Sequence, residues 1–308
     1  MVAPDPQASA SSRAPREVRI AGIRVPLDVR VGRGEALVVL FHGGMKRDKR
    51  PFPFFQPFFP VTASQMAISD PTMFADPAMP TGWYVGSEGE DLPHQLSALI
   101  RDEAARLGCT RRVYVGGSAG GFAALMYARL DPGSIAIAAN PQTRLQSYFI
   151  PSGVDLFRRA CWPSADSVEE LARIAPVDVC AQYARGFDNH VIYIQSSGDH
   201  DHVQGQMAPF LAAIDAAHAD RVIFDVGYWG IPGHSGSAPP RAWLPWLRAA
   251  LATPTITSAA LLDTRHALGE PAITTPARPA PANPAGPDSA DVRRAELLRD
   301  LTLGQIPD

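Results

Sequence analysis

Ser118 lies between two pairs of glycines, in the run Gly-Gly-Ser-Ala-Gly-Gly. Residues 111–115 before it contain β-branched side chains and predict a strand, whereas the apolar residues 119–130 predict a helix. A serine on such a sharp strand-to-helix turn needs small residues two positions before and after it, as found here. The start of the helix would also place amide N–H groups beside the hydroxyl. The pattern therefore predicts that Ser118 is a nucleophile.

A nucleophilic serine also requires a base and an acid. Its hydroxyl is a weak nucleophile until a histidine takes its proton and a carboxylate orients that histidine. Asp199 follows a predicted buried strand at residues 191–195, and His234 lies on a glycine-rich loop after the next predicted strand, 221–226. Both residues come just after strand ends, where parallel sheets place their ligands. We therefore predict a Ser118–His234–Asp199 triad.

Asp199 begins the run Asp-His-Asp-His, which on composition alone would suit a metal ion. Adjacent side chains that leave a strand end point in different directions and rarely converge on one ion, so we predict no metal here. We expect Asp199 to orient His234, with Asp201 as the alternative acid and His202 in a supporting or substrate-binding position. No cofactor is expected.

A further candidate element lies upstream, where the apolar residues 37–41 predict a strand and His42-Gly43-Gly44 follows it. This loop resembles the His-Gly-Gly oxyanion loop of esterases and related α/β-hydrolases. The resemblance implies that the backbone amides of Gly43, Gly44 and Ala119 hold the negative oxygen that develops during acyl transfer.

The chain order serine, aspartate, histidine is also the order found in α/β-hydrolases. The resemblance spans roughly residues 17–252 and implies a serine hydrolase that cleaves an ester through an acyl-enzyme on Ser118. Peptidases and acyltransferases use the same triad, so these residues leave the acceptor open. A hydrolase-fold protein that has lost catalysis and serves as a binding or assembly subunit is an alternative of a different class.

A narrower resemblance rests on four short motifs scattered along the chain. They are Phe-His-Gly-Gly, Ser69-Asp70-Pro71, Gly82-Trp83-Tyr84 and Asn140-Pro141-Gln142-Thr143. These motifs resemble those of bacterial hydrolase-fold proteins associated with surface-glycan assembly. The resemblance implies acyl transfer to or from a carbohydrate as an alternative to ester hydrolysis.

The residues that follow the oxyanion loop are unusually basic and aromatic. Both lysines of the chain and five of its phenylalanines fall within residues 46–59. Such runs commonly form only a solvated face and part of a core. Their position also suggests an anion-accepting rim above an apolar slot, suited to an acyl group, a lipid or an acidic glycan. On that hypothesis the substrate-binding residues are His42, Lys46, Arg47, Arg50, Phe54, Phe55 and His202.

Predicted strands and helices alternate along residues 17–252. After an opening hairpin at residues 17–31, this alternation predicts a mostly parallel central sheet with helices on both faces. The resemblance to α/β-hydrolases implies that this sheet is part of an α/β-hydrolase fold. Residues 142–189 are longer than a strand-to-strand crossover needs and predict a small cap insertion over the site. An ordinary crossover helix with long loops is the alternative.

The two ends of the chain have a different composition. Residues 1–16 are polar and predict a flexible arm, and the proline-rich residues 253–308 predict a disordered tail with a possible short helix at 291–303. No stretch approaches the roughly 20 apolar residues of a membrane span, and no signal peptide is recognisable, so we expect a cytoplasmic protein.

The net charge limits the expected binding partners, and the cysteine spacing limits the expected metal sites and disulfides. With 28 basic and 31 acidic residues the formal net charge is −3, which argues against nucleic acid or an anionic membrane as the main partner. The triad and the resemblances imply instead a small-molecule or glycan ester as the partner. The three cysteines, Cys109, Cys161 and Cys180, have no metal-ligand spacing. We expect buried free thiols, with a Cys161–Cys180 disulfide as the alternative.

Overall fold

A computed structural model of the chain describes residues 15–269. The predicted helix at 291–303 and nearly all of the predicted N-terminal arm lie outside these residues. Within them, the strands are β1 (Arg16–Ile20), β2 (Ile23–Arg30), β3 (Ala36–Phe41), β4 (Ser64–Ile68), β5 (Arg111–Gly117), β6 (Ile135–Ala139), β7 (His190–Ser196) and β8 (Val222–Gly227).

The helices of the described part lie mostly between these strands. They are α1 (Leu92–Arg106), α2 (Ala119–Arg129), α3 (Pro151–Cys161), α4 (Val168–Ile174), α5 (Val179–Tyr183), α6 (His200–His202), α7 (Ala208–Ala213), α8 (Pro240–Ala252) and α9 (Ser258–Ala267). None of the helices within residues 15–269 is long and apolar enough to cross a membrane.

All eight strands join one sheet, in the order β1-β2-β4-β3-β5-β6-β7-β8. β1 and β2 form an antiparallel hairpin, β2 pairs antiparallel with β4, and every other pairing is parallel. The register places Gly117 opposite Ala139 and Ser196 opposite Gly227. The carboxyl ends of β5 to β8 therefore meet along one edge, which is where the sequence predicts the site.

The core lies on both faces of the sheet, because successive side chains of a strand point to opposite sides. In β3, Phe41 contributes to the face covered by α1 and α2, whereas Leu40 contributes to the face covered by α8. Both side chains are fully buried, as is Trp246 of α8. Each buried large apolar side chain of this kind stabilises the fold by about 1.5–3 kcal/mol. The predicted arrangement of helices on both faces is therefore observed.

The apolar pattern of residues 203–217 predicts a single helix, which the structure divides. α6 is followed by a π-helical turn, Val203–Met207, then by α7, and the chain leaves the helix after Ala213. Pro209 lies within this region and has no N–H to donate to the preceding turn, which disfavours a regular α-helix through it.

The chain beyond α8 also differs from the sequence prediction, which has a disordered tail beginning at residue 253. Instead α9 packs against α8, with Leu261 buried. Arg265 of α9 lies 4.3 Å from the ring of Trp246 and pairs with the carboxylate of Asp225, to which the Trp246 indole also donates. The ion pair between Arg265 and the buried Asp225 thus joins α9 to β8. The folded domain therefore continues through Ala267.

The residues predicted as a cap, 142–189, connect β6 to β7 and contain α3, α4 and α5. Phe157 of α3 packs against Trp83 with ring centroids 5.6 Å apart. Just before α3, the exposed ring of Phe149 lies 5.6 Å from that of His234. The segment therefore borders the predicted site, and its role as a lid stays a prediction. The cysteines at 109, 161 and 180 are free and buried, so the alternative disulfide does not form.

Candidate active site

Ser118 occupies the sharp turn between β5 and α2, with φ 56° and ψ −120°. A side chain at Gly116 would place its Cβ 2.1 Å from the carbonyl oxygen of Gly120, and one at Gly120 would lie 2.3 Å from that of Phe41. Both positions therefore require glycine. The backbone of Ser118 is held in this conformation by its N–H, which donates to the carbonyl of Ala139 at 3.0 Å.

The structure brings together the three residues predicted as a triad. Ser118 Oγ lies 2.7 Å from His234 Nε2, and His234 Nδ1 lies 2.7 Å from Asp199 Oδ2. Burial acts to raise the pKa of Asp199, but hydrogen bonds from His202 and His234 outweigh it and hold that pKa well below its ordinary value. Asp199 is therefore a carboxylate, His234 Nδ1 donates to it, and His234 Nε2 is left to accept from the serine.

The loop that carries His234 is tied to the sheet by side-chain hydrogen bonds. Ser237 Oγ donates to the carbonyl of His234 at 3.0 Å, and Asn140 Nδ2 donates to Ser237 Oγ at 2.6 Å. The other amide atom of Asn140 accepts from the backbone N–H of Ser196 at 2.7 Å. Asn140 thus connects the ends of β6 and β7 to the loop that carries His234. This connection helps to hold His234 beside Ser118 and Asp199.

His202 is a second imidazole on the same carboxylate. Its Nδ1 lies 3.2 Å from Asp199 Oδ1, and its ring stacks on that of His234 at 3.9 Å with an interplanar angle of 12°. Burial lowers the pKa of His202, which keeps the ring neutral. The side chain is fully buried, so the expectation that His202 binds substrate is corrected: the ring instead supports Asp199 and His234.

Gln142 connects His202 to the nucleophile. Its Nε2 donates to Ser118 Oγ at 2.9 Å and lies 2.9 Å from His202 Nε2, while its Oε1 accepts from the Trp83 indole at 3.2 Å. Because His202 Nδ1 donates to Asp199, His202 Nε2 must accept, which agrees with this orientation of the amide. The contacts therefore close a ring of hydrogen bonds, Ser118–His234–Asp199–His202–Gln142.

Asp199, His202 and His234 also place their ligand atoms within 4.8 Å of one another. All four imidazole nitrogens already have partners inside the cluster: each Nδ1 faces Asp199, and the Nε2 atoms face Ser118 and Gln142. A cation would have to displace these hydrogen bonds. The arrangement is better suited to moving a proton between serine and histidine than to binding an ion.

His42 is buried beneath the predicted oxyanion loop. Its Nδ1 lies 2.7 Å from the carbonyl oxygen of Gly43, and its Nε2 accepts from the backbone N–H of Asp70 at 3.1 Å. The acceptor role of Nε2 requires the proton to be on Nδ1, which donates to Gly43. Since carbonyl and N–H groups of a trans peptide point in opposite directions, this bond aims the N–H of Gly44 away from His42. His42 is therefore buried with both ring nitrogens bonded within the protein, which argues against the predicted substrate contact.

Gly43 and Gly44 both line the cavity beside Ser118. Ala119 begins α2 next to the nucleophile. Among residues 15–269, no acceptor is bonded to the backbone N–H of Gly43, Gly44 or Ala119. Unpaired amides at a helix start and in a glycine turn provide a place for a negative oxygen. Their assignment as the oxyanion hole remains a proposal.

The burial of His42 has a consequence for stability at acid pH. Burial lowers the pKa of His42 to about 4, whereas an unfolded chain takes up this proton near pH 6.5. The unfolded state therefore binds more protons below pH 6.5, and the folded state loses stability as the pH falls towards 4. We expect His42→Gln, which keeps an acceptor for the Asp70 N–H, to lose about 2–3 kcal/mol less unfolding free energy than the wild type between pH 7 and pH 4.5.

Urea unfolding at the two pH values measures this difference. Burial also raises the pKa of Asp70 to about 6, so the variant must be compared with the wild type at each pH. His94→Gln is the matched control, because His94 is exposed. Equal acid sensitivity of His42→Gln and the wild type would contradict the assignment of this loss to His42.

The other residues predicted to bind substrate lie outside the cavity lining. Arg47 donates to the carbonyl of Met73 and stacks on the ring of Phe52 at 4.4 Å, while Lys46 and Arg50 are exposed. Phe54 is fully buried, 5.6 Å from the ring of His42. The expected substrate contact of Phe54 is therefore corrected to support of the oxyanion loop.

Phe55 is half-buried and packs on the apolar cluster covered by α8. None of the four basic residues 46, 47, 49 and 50 is in the described lining of the cavity beside Ser118. An anion-binding rim formed by them stays a prediction. Sequence reasoning missed Asn140 and Gln142 as site residues, although their motif directly follows β6 at the functional edge of the sheet.

Solved structures of other proteins are similar to this chain. No protein-family model matches the chain, and a search of curated proteins gives no match. Among solved structures, the chain is similar to the capsule O-acetyltransferase of Neisseria meningitidis serogroup A, with 12% identity and a TM-score of 0.51 over 76% of this chain and 96% of that one.

Two other solved structures with a similar fold belong to differently named proteins. The 2,6-dihydroxy-pseudo-oxynicotine hydrolase is 16% identical, with a TM-score of 0.52 over 88% of this chain and 73% of that one. A chain of the Glycosylation Associate Protein (Gap123) complex from Streptococcus agalactiae is 17% identical, with a TM-score of 0.54 over 74% of this chain and 44% of that one. At these identities the likeness establishes the fold. The strand order and these neighbours together show that the chain has the α/β-hydrolase fold.

Proposed function

We propose that the protein is a serine hydrolase that cleaves an ester through an acyl-enzyme on Ser118. The observation that carries this proposal is the pair of 2.7 Å contacts from Ser118 Oγ to His234 Nε2 and from His234 Nδ1 to Asp199 Oδ2. The first lets the imidazole take the serine proton, and the second keeps the correct tautomer and stabilises the imidazolium that forms.

The first half-reaction follows from this geometry. Gln142 donates to Ser118 Oγ and so orients the hydroxyl hydrogen towards His234. As Oγ bonds to the acyl carbon, His234 takes the proton and the carbonyl electron pair moves onto its oxygen, which the amides of Gly43, Gly44 and Ala119 stabilise. The electrons then return, the bond to the leaving alcohol breaks, and His234 gives the proton to that alcohol.

Hydrolysis of the acyl-enzyme repeats these steps with water. His234 takes a proton from water as its oxygen bonds to the acyl carbon, and then returns the proton to Ser118 Oγ when the serine ester bond breaks. The carboxylic acid leaves and the enzyme regains its starting state.

A fluorophosphonate probe tests whether Ser118 is the activated serine. We expect the wild type to be labelled and Ser118→Ala to lose all labelling, together with a fall in ester turnover of about 10⁴-fold or more. Ser235→Ala is the matched control, because Ser235 lines the same cavity and neighbours His234. Labelling of Ser118→Ala at the wild-type level would refute the proposal. Absence of labelling in the wild type would favour the inactive binding subunit.

Acyl transfer to a carbohydrate is the second candidate function. It is supported by the capsule O-acetyltransferase, 96% of which is covered by the similarity, and by the glycan-assembly motifs that include Asn140 and Gln142. An alcohol would replace water in the second half-reaction, with the same proton transfers. Mass spectrometry of products formed from an activated acetyl ester, with and without an oligosaccharide acceptor, separates an acetylated sugar from free acetate.

A further inference from the structure

A cavity of about 300 Å³ opens directly beside Ser118. Its lining includes Gly43 and Gly44, and His234 with the two residues that follow it. Gly117, Ala139 and Trp243 also line it. Any group bonded to Ser118 Oγ with its oxygen at the Gly43 and Gly44 amides would therefore have this cavity next to its acyl carbon.

The indole of Trp243, which lines the cavity, is held in place by two contacts. Its Nε1 donates to the carbonyl of Ala238 at 2.8 Å, and its ring lies 6.1 Å from that of Phe59. The outer edge of the ring points at the residue before the nucleophile, since a Cβ built on Gly117 would lie 2.7 Å from Trp243 Cη2. A bonded and packed aromatic ring thus forms part of the cavity wall next to Gly117, the residue before the nucleophile.

The described lining of this cavity contains no Asp, Glu, Lys or Arg side chain. Asn140, its buried amide, has both of its polar atoms bonded within the protein, to Ser237 Oγ and to the N–H of Ser196. The indole N–H of Trp243 is bonded as well. The polar side chains in the lining that remain for other partners are those of Gln56 and Ser235, with Ser118 itself. The polar groups of Asn140 and Trp243 are not free to bind the hydroxyls of a sugar, whereas an apolar chain needs no such partner.

We propose that this cavity binds the acyl group of the ester, and that Trp243 sets the longest acyl chain accepted. The proposal rests on the function proposed above and names the substrate class of the same site: a neutral, unbranched short-to-medium acyl group. The cavity volume of about 300 Å³ favours a short or medium chain over a long one. A longer chain would meet the indole and would have to leave the terminal carbons in water.

Release of p-nitrophenolate from p-nitrophenyl esters with 2 to 12 acyl carbons tests the proposal. The first turnover reports acylation of Ser118 whether or not a sugar acceptor is required. The variants are Trp243→Ala, which removes the indole, and Trp243→Phe, which keeps an aromatic ring but shortens it. Leu244→Ala is the matched control, because Leu244 is a half-buried neighbour on α8 that packs on the same cluster but does not line the cavity.

We expect the ratio of acylation rates for the dodecanoyl and acetyl esters to rise about tenfold or more in Trp243→Ala, because each newly buried methylene contributes about fourfold. Trp243→Phe should show a smaller rise, and Leu244→Ala should keep the wild-type ratio. If Trp243→Ala does not fold, the ratio in Trp243→Phe decides the matter. An unchanged ratio in a folded Trp243 variant would overturn the proposal.

The failure of this inference and that of the proposed function have different signatures. If release of p-nitrophenolate depends on Ser118 but the Trp243 variants keep the wild-type chain-length profile, only the assignment of the cavity to the acyl group is refuted. A Trp243 variant that changes KM for a sugar acceptor but not the chain-length ratio assigns the cavity to the acceptor and also overturns it. A wild type with neither probe labelling nor p-nitrophenolate release refutes the acyl-enzyme function itself.

Discussion

Replacing Asp199 by asparagine is expected to lower kcat for ester cleavage about 10⁴-fold with little change in the fold. The carboxylate accepts from His234 Nδ1 at 2.7 Å and from His202 Nδ1 at 3.2 Å. An amide has a single oxygen acceptor, so its NH₂ group would face one of the two imidazole donors. His234 would then favour the tautomer with its proton on Nε2, which cannot accept the proton of Ser118.

Asp201→Asn is the control for this substitution. Asp201 is the alternative acid considered from sequence, lies two residues away and is exposed. Steady-state kinetics with one ester and circular dichroism of each variant measure both effects. We expect Asp201→Asn to retain wild-type kcat. A larger loss in Asp201→Asn than in Asp199→Asn would transfer the acid role to Asp201.

Ending the chain after Ala252 is expected to lower the free energy of unfolding by roughly 2.5–6 kcal/mol. The truncation removes Leu261, whose burial is worth about 1.5–3 kcal/mol. It also leaves the buried Asp225 carboxylate without Arg265, at a cost of about 1–3 kcal/mol. For a domain of this size the melting temperature should fall by about 5–24 °C.

A chain that ends after Gly269 is the matched control for that experiment, because it keeps α9 and removes a proline-rich segment whose composition does not suit a packed core. We expect its melting temperature to stay within about 2 °C of that of the full chain. Differential scanning calorimetry measures all three. Equal melting temperatures for the chains ending at 252 and 269 would show that α9 adds nothing to stability.

The parts of the site that could be predicted from sequence depend on local geometry. A strand, a glycine-flanked Ser118 and a helix form one continuous segment, so residue types alone predict the turn. Asp199 and His234 could be assigned because each follows a predicted strand, and the ends of parallel strands meet at one edge. The same reasoning predicts the sheet with helices on both faces.

The hydrogen bonds of Gln142 and His202 could not be predicted in this way. They depend on how two loops meet above β6 and β7, and the 3.9 Å stacking of His202 on His234 is a tertiary contact with no sequence periodicity. α9 was missed for a related reason. Its docking depends on Arg265 meeting a carboxylate on β8, and the prolines that follow it dominate the local composition.

The stacking of His202 on His234 has a consequence for the order of events in the reaction. A ring covered on one face, with Nδ1 held by Asp199, cannot turn over between the two half-reactions. In the proposed reaction only Nε2 exchanges protons: it takes one from Ser118 and gives it to the departing alcohol, then takes one from the incoming water or alcohol and returns it to Ser118. The departing and incoming molecules would use the same position at different times, so that mechanism requires the first product to leave before the second substrate enters.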